Sequence, residues 1–444
     1  MTTNVPWYHS RHYIHFDLPL SEQAATNYVS DPDRIVHHAF YPFITYDLLT
    51  PRIKKISGAV KPFIKDPKHR PISYPAHKDG YIFSYYKRKL EDVYEEWLKE
   101  HGLGQAVTAF RATGENNVTL AKIAFDFVTR NPGCLIVATD VEKFFDTINH
   151  EQLKKTWSRF LGVPRLPDDH YAVYKAITRY SVVQRHMVYN LFGIPLSRRL
   201  NKAADPKRLC TPKQFREKIV RRTGPRTGLV EPNPGLGKGM GIPQGSPLSP
   251  LLSNMYMADL DLAMHTWMNS LGGAYWRYCD DILVVVPRGH RVPILRRLDQ
   301  ELRSLALRRS KRKTQRLNSR QLACLPLQYL GFTFDGSRTL VRSSSVHRYH
   351  RKLKKAIQAA EFRRDKETKA SGSEAPLRQQ ALYNMYSELP TRGVKIKARK
   401  ARQKHSGNFT HYMARSAKLL NSPSIERQRR KVLRKFHTSV RKHA

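Results

Sequence analysis

The chain has 444 residues and a formal net charge of +43, from 79 lysines and arginines against 36 acidic residues. This length allows two or three domains, and the charge excludes a typical small-molecule enzyme and indicates a polyanionic partner, nucleic acid above all. No run approaches 18 uninterrupted apolar residues and Met1–Pro19 is polar, so we expect a cytoplasmic protein with no membrane partner. From composition alone, a ribosomal-type basic protein is the alternative.

Cysteine and histidine usage gives no sign of a zinc site. The four cysteines are widely separated and no pair has the spacing of zinc ligands, so we expect free thiols in a reducing compartment. The 19 histidines are scattered along the chain. We expect them at the surface, facing nucleic acid.

The first half of the chain is predicted to alternate helices and strands. Residues 1–65 are expected to form an N-terminal extension. A helix is predicted over Gly80–His101, where apolar residues recur every three or four positions. Cys134–Ala138 is a short apolar run typical of a buried strand, and Asn149–Leu161 places its large apolar residues on one helical face.

Two later segments are strongly basic. Residues 195–238 are rich in proline, glycine and arginine and are predicted to be an insertion or a loop that contacts nucleic acid. From Val346 onward there are 27 lysines and arginines against 6 acids, with helical periodicity in Tyr349–Ala360 and Ser424–Val440. We expect a helical nucleic-acid-binding domain with a flexible loop around Asp365–Pro376. A disordered basic tail is the alternative.

Acidic residues follow two apolar segments. Tyr278-Cys279-Asp280-Asp281 separates the strand-like runs Gly273–Trp276 and Ile282–Val286, which predicts a tight hairpin that presents two carboxylates. Asp140 ends the apolar run that begins at Cys134. Carboxylates from a central strand and a neighbouring hairpin can converge on two hard cations and support in-line phosphoryl transfer. The alternative is that each acid caps its own turn.

A glycine- and proline-rich segment is the second strong pattern. Gly239–Pro250 predicts a loop whose main chain can approach a ligand closely, followed by an apolar helix over Leu251–Met268. The amide of Gln244 can contact a nucleotide there without adding charge.

Taken in order along the chain, these motifs resemble those of bacterial reverse transcriptases. The matching segments are Asp140 with Phe144-Phe145-Asp146, Gly241–Pro247, Tyr278–Asp281 and Gln328–Phe332. The resemblance extends from about Lys65 to Arg342 and covers most of the chain. It is shared with the polymerases of group II introns, retrons and defence-associated systems.

The resemblance implies an α/β fold, that of a right-hand polymerase with fingers, a ferredoxin-like palm and a helical basic thumb. The corresponding predicted regions are an extension at 1–65, fingers at 66–135, the palm at 136–342 and the thumb at 343–444. The palm would include fingers elements and the basic insertion.

The resemblance also assigns roles to individual residues. Asp140, Asp280 and Asp281, with the carbonyl of Val141, would bind two Mg²⁺ ions, or Mn²⁺ in their place. Phe145 would exclude the 2′-hydroxyl of a ribonucleotide by steric contact, so that the enzyme incorporates dNTPs and makes DNA.

Further residues are implied to bind the nucleotide and the primer. Gln244 and Gly245 would line the incoming nucleotide, Arg70 and Lys65 would hold its triphosphate, and Lys313 would protonate pyrophosphate. Lys313 is equally interpretable as one more solvated charge. The primer grip would be formed by Tyr329, Leu330 and Gly331.

Two further segments, His69–Pro75 and Leu166–Tyr171, resemble the unknown-group reverse transcriptases, and the compact form is most similar to type-two defence-associated enzymes. This implies a cognate noncoding RNA as template and a cDNA product that acts against phage. Retron segments, zinc-binding cysteine pairs and an RNase H arrangement are not found. Two alternatives remain open. One is a template-independent, protein-primed polymerase, and the other is a non-catalytic RNA-binding or maturase-like protein. The oligomeric state is not predicted.

Overall fold

The computed structural model describes residues 6–50, 53–55, 63–65, 67, 69–112, 115–196, 208–220, 228–290, 293–387 and 408–443, with only the main chain for 53–55 and 63–65. The helices are α1 (Glu22–Val29), α2 (Pro32–Val36), α3 (His77–Glu100), α4 (Asn117–Arg130), α5 (Phe144–Thr147), α6 (His150–Phe160), α7 (Asp168–Thr178), α8 (Arg185–Leu191), α9 (Pro212–Phe215), α10 (Ser249–Tyr256), α11 (Ala258–Ser270), α12 (Ile294–Ser304), α13 (Ser343–Ser371), α14 (Gln379–Tyr386), α15 (Phe409–Leu419) and α16 (Pro423–His443).

The strands are β1 (Phe43–Asp47), β2 (Ile53–Lys55), β3 (Phe63–Lys65), β4 (Pro71–Tyr74), β5 (Leu135–Asp140), β6 (Ser181–Gln184), β7 (Glu231–Pro232), β8 (Ala274–Tyr278), β9 (Asp281–Val286), β10 (Gln315–Asn318), β11 (Leu327–Tyr329), β12 (Phe332–Phe334) and β13 (Thr339–Val341). This mixture confirms the predicted α/β class. Among the residues described, none of the helices combines the length and apolar content needed to cross a membrane.

The chain divides into two compact units built from interleaved segments. The first unit comprises Met1–Gly104, Val141–Met264 and Ile294–Ser310, and the second comprises Gln105–Asp140, His265–Pro293 and Lys311–Ala444. The predicted fingers, palm and thumb boundaries run in consecutive blocks, so they do not coincide with these units and remain predictions about functional regions.

The second unit is built on a four-stranded antiparallel sheet with the order β10-β5-β9-β8. The two central strands are the apolar runs identified in the sequence, and Ile136, Val137 and the stretch from Ile282 to Val286 are buried. A smaller sheet with the order β11-β12-β13 shares the core of this unit. Burial of both central strands gives the acids at their ends a rigid base.

The basic C-terminal region of this unit is helical where it is described. The buried residues of α16 follow one another at intervals of seven, four and four positions, which places them on one face of the helix. They are Ile425, Val432, Phe436 and Val440. The corresponding stripe of α13 is Tyr349, Leu353, Ile357 and Ala360. These residues belong to the same apolar core as β5 and β9, whereas the lysines and arginines occupy the outer faces. The predicted helices at Tyr349–Ala360 and Ser424–Val440 are therefore confirmed and longer than expected.

The first unit contains a sheet with the order β4-β1-β6-β7, in which β1 pairs antiparallel with β4 and parallel with β6. Strand β1 thus lies inside this sheet, although it falls within the predicted extension. The predicted helix at Gly80–His101 is confirmed as α3, which begins at His77. Both carboxylate oxygens of Asp17 accept hydrogen bonds from the first main-chain N–H groups of α3, those of His77 and Lys78, at 2.8 Å.

Three sequence-based expectations were wrong. The single helix expected over Leu251–Met268 is divided into α10 and α11 at Met257, whose main chain (φ −90°, ψ 0°) ends one helix while its carbonyl accepts from Asp261 of the next. The flexible loop expected around Asp365–Pro376 is helical as far as Ser371, where α13 ends at a Gly372 cap with φ 69°. Only the last part of the expected loop, residues 372–376, lies outside a helix.

The third wrong expectation concerns the histidines, which do not all lie at the surface. His15, His77, His150 and His170 are buried, and the His38 side chain is only 7% exposed. The cysteines are free, as expected, although three of the four are buried. The basic insertion predicted at 195–238 lies partly outside the described residues.

Candidate active site

The predicted acidic hairpin is present in the second unit. Strands β8 and β9 are joined by a two-residue turn, Cys279-Asp280, and Tyr278 pairs directly with Asp281. Cys279 adopts a left-handed conformation with φ 58°, which is unfavourable for a residue with a Cβ. The fully buried Arg277 donates a hydrogen bond from its guanidinium to the Cys279 carbonyl at 3.1 Å and so stabilises this turn.

Asp140 lies directly opposite Asp281 in the sheet. The antiparallel register of β5 and β9 pairs the two residues at the last position of their ladder, beyond Thr139 and Ile282. Asp280 occupies the adjacent turn. The structure therefore places the three predicted carboxylates at one edge of one sheet, although they are separated by up to 141 positions in the sequence.

The three carboxylates repel one another. The pKa of Asp281 is raised to about 6, first by loss of solvation, then by the negative charges of Asp280 and Asp140, while Lys313 and Arg342 act in the opposite direction. Asp281 retains a solvent-exposed surface, so its desolvation is partial. A bound cation would relieve the remaining repulsion.

Lys313 interacts directly with this acidic cluster. Its ammonium group donates to one carboxylate oxygen of Asp140, so the interpretation of Lys313 as a merely solvated charge is wrong. The other oxygen of Asp140 is buried without a hydrogen-bond partner. A buried carboxylate oxygen with no partner is unfavourable unless a ligand satisfies it.

The acids at this edge of the sheet have the ligand chemistry that suits a divalent cation, although they are not assembled into a closed binding cluster. Within the described ranges, no three acidic, histidine or cysteine side chains lie close enough together to form a metal-binding cluster. Carboxylate oxygens are nevertheless the ligands that Mg²⁺ prefers. The unpartnered oxygen of Asp140 and the raised pKa of Asp281 both indicate that positive charge is favoured here. Binding of Mg²⁺ or Mn²⁺ by these acids and the Val141 carbonyl stays a prediction.

The predicted primer grip is a second hairpin of the same unit. Leu330 and Gly331 form the turn between β11 and β12 with φ values of 46° and 91°, as a two-residue hairpin requires. Asn117 of α4 donates to the Leu330 carbonyl at 3.0 Å. Burial raises the pKa of Tyr329, and the nearby negative charge of Asp281 adds to this rise. The turn is thus fixed near the acidic cluster.

The predicted nucleotide-binding residues of the first unit are brought together around β4. Ser73 of β4 donates its main-chain N–H to the Gln244 carbonyl at 2.7 Å, and Ile242 donates to the Phe145 carbonyl at 2.9 Å. Gly245 has φ 118°, and a Cβ there would lie 2.5 Å from the Ser73 carbonyl oxygen. Only glycine fits this close approach.

The two predicted triphosphate ligands lie on neighbouring segments of the first unit. Arg70 immediately precedes β4, its guanidinium donates to the Thr50 hydroxyl at 3.2 Å, and its carbonyl accepts from Leu48 at 2.8 Å. Lys65 is the last residue of β3, where it pairs with Ile53; its side chain lies outside the described residues.

Sequence reasoning missed two arginines of the second unit. Arg277 donates to the main chain of the acidic turn. Arg342 follows β13, and its positive charge opposes the rise in the pKa of Asp281 that desolvation, Asp280 and Asp140 cause. Arg277 directly precedes Tyr278 and was within reach of motif inspection. No sequence pattern marks Arg342, because only the packing of β13 brings it near Asp281.

Comparison with known families gives a match for part of the chain. Residues 231–334 match the family described as "Reverse transcriptase (RNA-dependent DNA polymerase)". This segment includes Gln244, Gly245, Asp280, Asp281 and the primer-grip hairpin. A comparison with curated protein sequences gives no match.

Solved structures show a weaker likeness. Apo telomerase from Candida tropicalis, truncated from its C-terminal domain, is 12% identical with a TM-score of 0.43 and aligns over 72% of this chain and 59% of that chain. Telomerase from Candida albicans, in complex with a fragment of telomeric RNA, is 13% identical with a TM-score of 0.41 over 72% and 49%. The chain thus spans about half to three-fifths of the length of these chains, and similarity at this level carries no argument about its activity. The family match, in contrast, concerns the sequence of residues 231–334 and supports the assignment of this segment to a reverse transcriptase domain, the domain of an RNA-dependent DNA polymerase.

Proposed function

We propose that this protein is an RNA-directed DNA polymerase that copies an associated noncoding RNA into cDNA in defence against phage. The observation that carries the polymerase assignment is the pairing of Asp140 with Asp281 beside the Asp280 turn, within a unit that contains about half of the segment matched to the reverse transcriptase family. The net charge of +43 supports a nucleic acid template and product.

The carboxylates of Asp140, Asp280 and Asp281 and the carbonyl of Val141 are the groups that would hold divalent cations. Such cations would lower the pKa of a primer 3′-hydroxyl and neutralise the leaving pyrophosphate. The chain contributes rigidity, because both acid-bearing strands are buried in the sheet. Lys313 is a positioned cation that can donate a proton to pyrophosphate, and Arg342 adds positive charge.

Substrate selection is proposed to lie with the residues of the first unit. Phe145 would exclude a 2′-hydroxyl and so restrict the substrates to dNTPs. Gln244 would face the nucleotide with an uncharged amide, on a loop that is fixed by its bond to Ser73. Arg70 and Lys65 would bind the triphosphate. The primer end would rest on the hairpin at Tyr329, Leu330 and Gly331.

The polymerase proposal is tested by removing charge without changing shape. Asp280→Asn combined with Asp281→Asn should reduce DNA synthesis on a primed RNA template below detection while RNA binding is retained. The matched control is Asp126→Asn, an exposed acid of α4 that pairs with Lys122. Synthesis that survives the double substitution would show that the acids are not the catalytic site.

The template and the biological role need separate measurements. DNA that co-purifies with the protein should be complementary to a structured RNA encoded beside the gene. Untemplated or homopolymeric DNA would instead favour the template-independent alternative. Cells that carry the gene with its flanking RNA should restrict phage, and the double asparagine variant should not. Equal plaque counts with both would refute the defence role.

A further inference from the structure

Helices α13 and α16 of the second unit form a groove with a volume of about 500 Å³. The two helices are joined at one end of the groove, where Nδ1 of His443 lies 2.5 Å from a carboxylate oxygen of Glu361. The guanidinium of Arg364 donates to the His443 carbonyl at 3.1 Å. The volume is within the range of about 300–1,000 Å³ that is usual for small-molecule sites. None of the described residues that line the groove has a role assigned in polymerisation.

The rim of the groove is positively charged. Arg351 and Lys354 are exposed residues of α13, and Lys435 is an exposed residue of α16. Within the described parts of the chain, none of these three cations forms an ion pair. The acid that lines the groove there, Glu361, is already bound to His443. The groove therefore has a net positive charge, which favours an anion such as a phosphate monoester.

The floor of the groove is apolar. Leu353 and Ile357 are buried there and belong to the core of the second unit. His350 adds an imidazole ring to the lining. Burial and the charges of Lys435 and His347 lower the pKa of His350, so this ring is neutral at physiological pH. A neutral ring beside two aliphatic side chains suits a planar nucleobase better than it suits a second charged group.

We propose that this groove is a second nucleotide-binding site, with a nucleoside monophosphate as its ligand. Arg351, Lys354 and Lys435 bind the phosphate, and the base packs on the apolar floor. The Gln358 amide and the Ser439 hydroxyl, which also line the groove, supply donors and acceptors for the polar edge of the base. The nucleotide can be free or part of a bound RNA, since both present the same phosphate and base. In either case it would link α13 to α16.

Photo-cross-linking tests the site directly. The full-length protein, freed of bound nucleic acid in high salt, should be irradiated with an azido derivative of GMP in the absence of Mg²⁺. Mass spectrometry should find the label on the tryptic peptides 356–363 of α13 or 436–441 of α16. Unlabelled GMP should compete, and inorganic phosphate should compete at least about 10-fold more weakly because it lacks the base. Label confined to other peptides would overturn the proposal.

Charge removal tests the role of the rim. Lys354→Gln combined with Lys435→Gln should weaken GMP binding, measured by calorimetry, by about 10- to 100-fold. The matched control is Lys352→Gln combined with Arg434→Gln, which removes the same charge from exposed positions of the same helices that do not line the groove. Its affinity should stay within about 3-fold of the wild type at physiological salt, because distant charges are screened. Equal losses in the two variants would indicate diffuse attraction and refute the site.

A third variant fills the groove and keeps every charge. Ser439→Trp should lower the affinity for GMP at least about 10-fold by occupying the space of the base. Thermal unfolding checks that this protein is folded. It also gives a second readout, because the Tm of the wild type should rise with GMP concentration whereas the Tm of Ser439→Trp should not. A folded variant with unchanged affinity would contradict the proposed position of the ligand.

A short single-stranded RNA that carries thiouridine distinguishes the two sources of the nucleotide. Label from this RNA on the same two peptides, with weak competition by GMP, supports the site and assigns it to a nucleotide of bound RNA. Label from azido-GMP that the RNA does not displace supports the site and assigns it to free nucleotide. Absence of label from both probes on these peptides overturns the proposal. Neither assay requires DNA synthesis, so failure here leaves the polymerase proposal intact.

Discussion

Substitution of Gly245 by alanine should destabilise the first unit and impair nucleotide binding together. A Cβ at this position would lie 2.5 Å from the Ser73 carbonyl oxygen, whereas ordinary contact begins at 3.4 Å, so main-chain atoms must separate by about 0.9 Å. The neighbouring bond between the Gln244 carbonyl and the Ser73 N–H is only 2.7 Å long. A shift of that size would weaken or break it.

The expected cost follows from three contributions. An alanine held at φ 118° costs about 1–3 kcal/mol, forced close packing costs about 1–3 kcal/mol, and a lost hydrogen bond costs about 1 kcal/mol. Movement of the loop relieves part of the strain, so we expect a decrease of about 3 kcal/mol in the free energy of unfolding. For a unit of this size, that corresponds to a decrease of about 6–12 °C in Tm.

Thermal unfolding and steady-state kinetics measure both effects. The Gly245→Ala enzyme should show the lower Tm and a kcat/KM for dNTPs reduced by about 10- to 100-fold, because Gln244 is displaced. The matched control is Gly237→Ala in the same segment, where a Cβ would meet no atom within 4 Å. Its Tm should stay within about 2 °C of the wild type. Equal Tm values for the two variants would refute the steric argument.

Three further substitutions test other parts of the structure. Phe145→Ala should admit ribonucleotides, with the preference for dCTP over CTP in kcat/KM falling by at least about 10-fold; unchanged discrimination would refute the steric role. Arg277→Met should lower kcat by about 100-fold without loss of fold by circular dichroism, because the Cys279 carbonyl loses its donor; a wild-type kcat would contradict this. Burial and the nearby His77 lower the pKa of His15 to about 3 from 6.5. The folded protein therefore holds the His15 imidazole in its neutral form, whereas the unfolded chain takes up a proton, so the free energy of unfolding falls as pH decreases below 6.5. By pH 5 the loss is about 2 kcal/mol, and urea unfolding of His15→Gln should show a smaller pH dependence than the wild type; equal slopes would exclude His15 as the cause.

Much of the candidate site was predictable from local sequence. The runs before Asp140 and after Asp281 are apolar and short, which fits buried strands, and the intervening Cys279-Asp280 pair fits a tight turn. The helical spacing of apolar residues also predicted the helices at Tyr349–Ala360 and Ser424–Val440. These features depend on residues within one or two turns of one another, so the local pattern is sufficient to predict them.

Burial of polar groups was not predictable in this way. His15, His38 and His77 were expected at the surface, but their environments are set by residues distant in sequence, such as Asp79 for His38. Arg342 was missed for the same reason, because only tertiary packing brings it near Asp281. The division at Met257 escaped the periodic pattern because apolar residues on both sides of it remain buried.

The sequence by itself was sufficient to predict which residues would carry the chemistry, because carboxylates, glycines and aromatic residues in a fixed order resemble the motifs of a polymerase whatever their packing. Only the tertiary structure decided that Asp140 faces Asp281, that Lys313 bonds to Asp140 and that His38 bonds to Asp79. Each of these pairs joins segments that are far apart or separated by a turn, and their contact depends on strand register and side-chain packing. A local pattern contains no information about either.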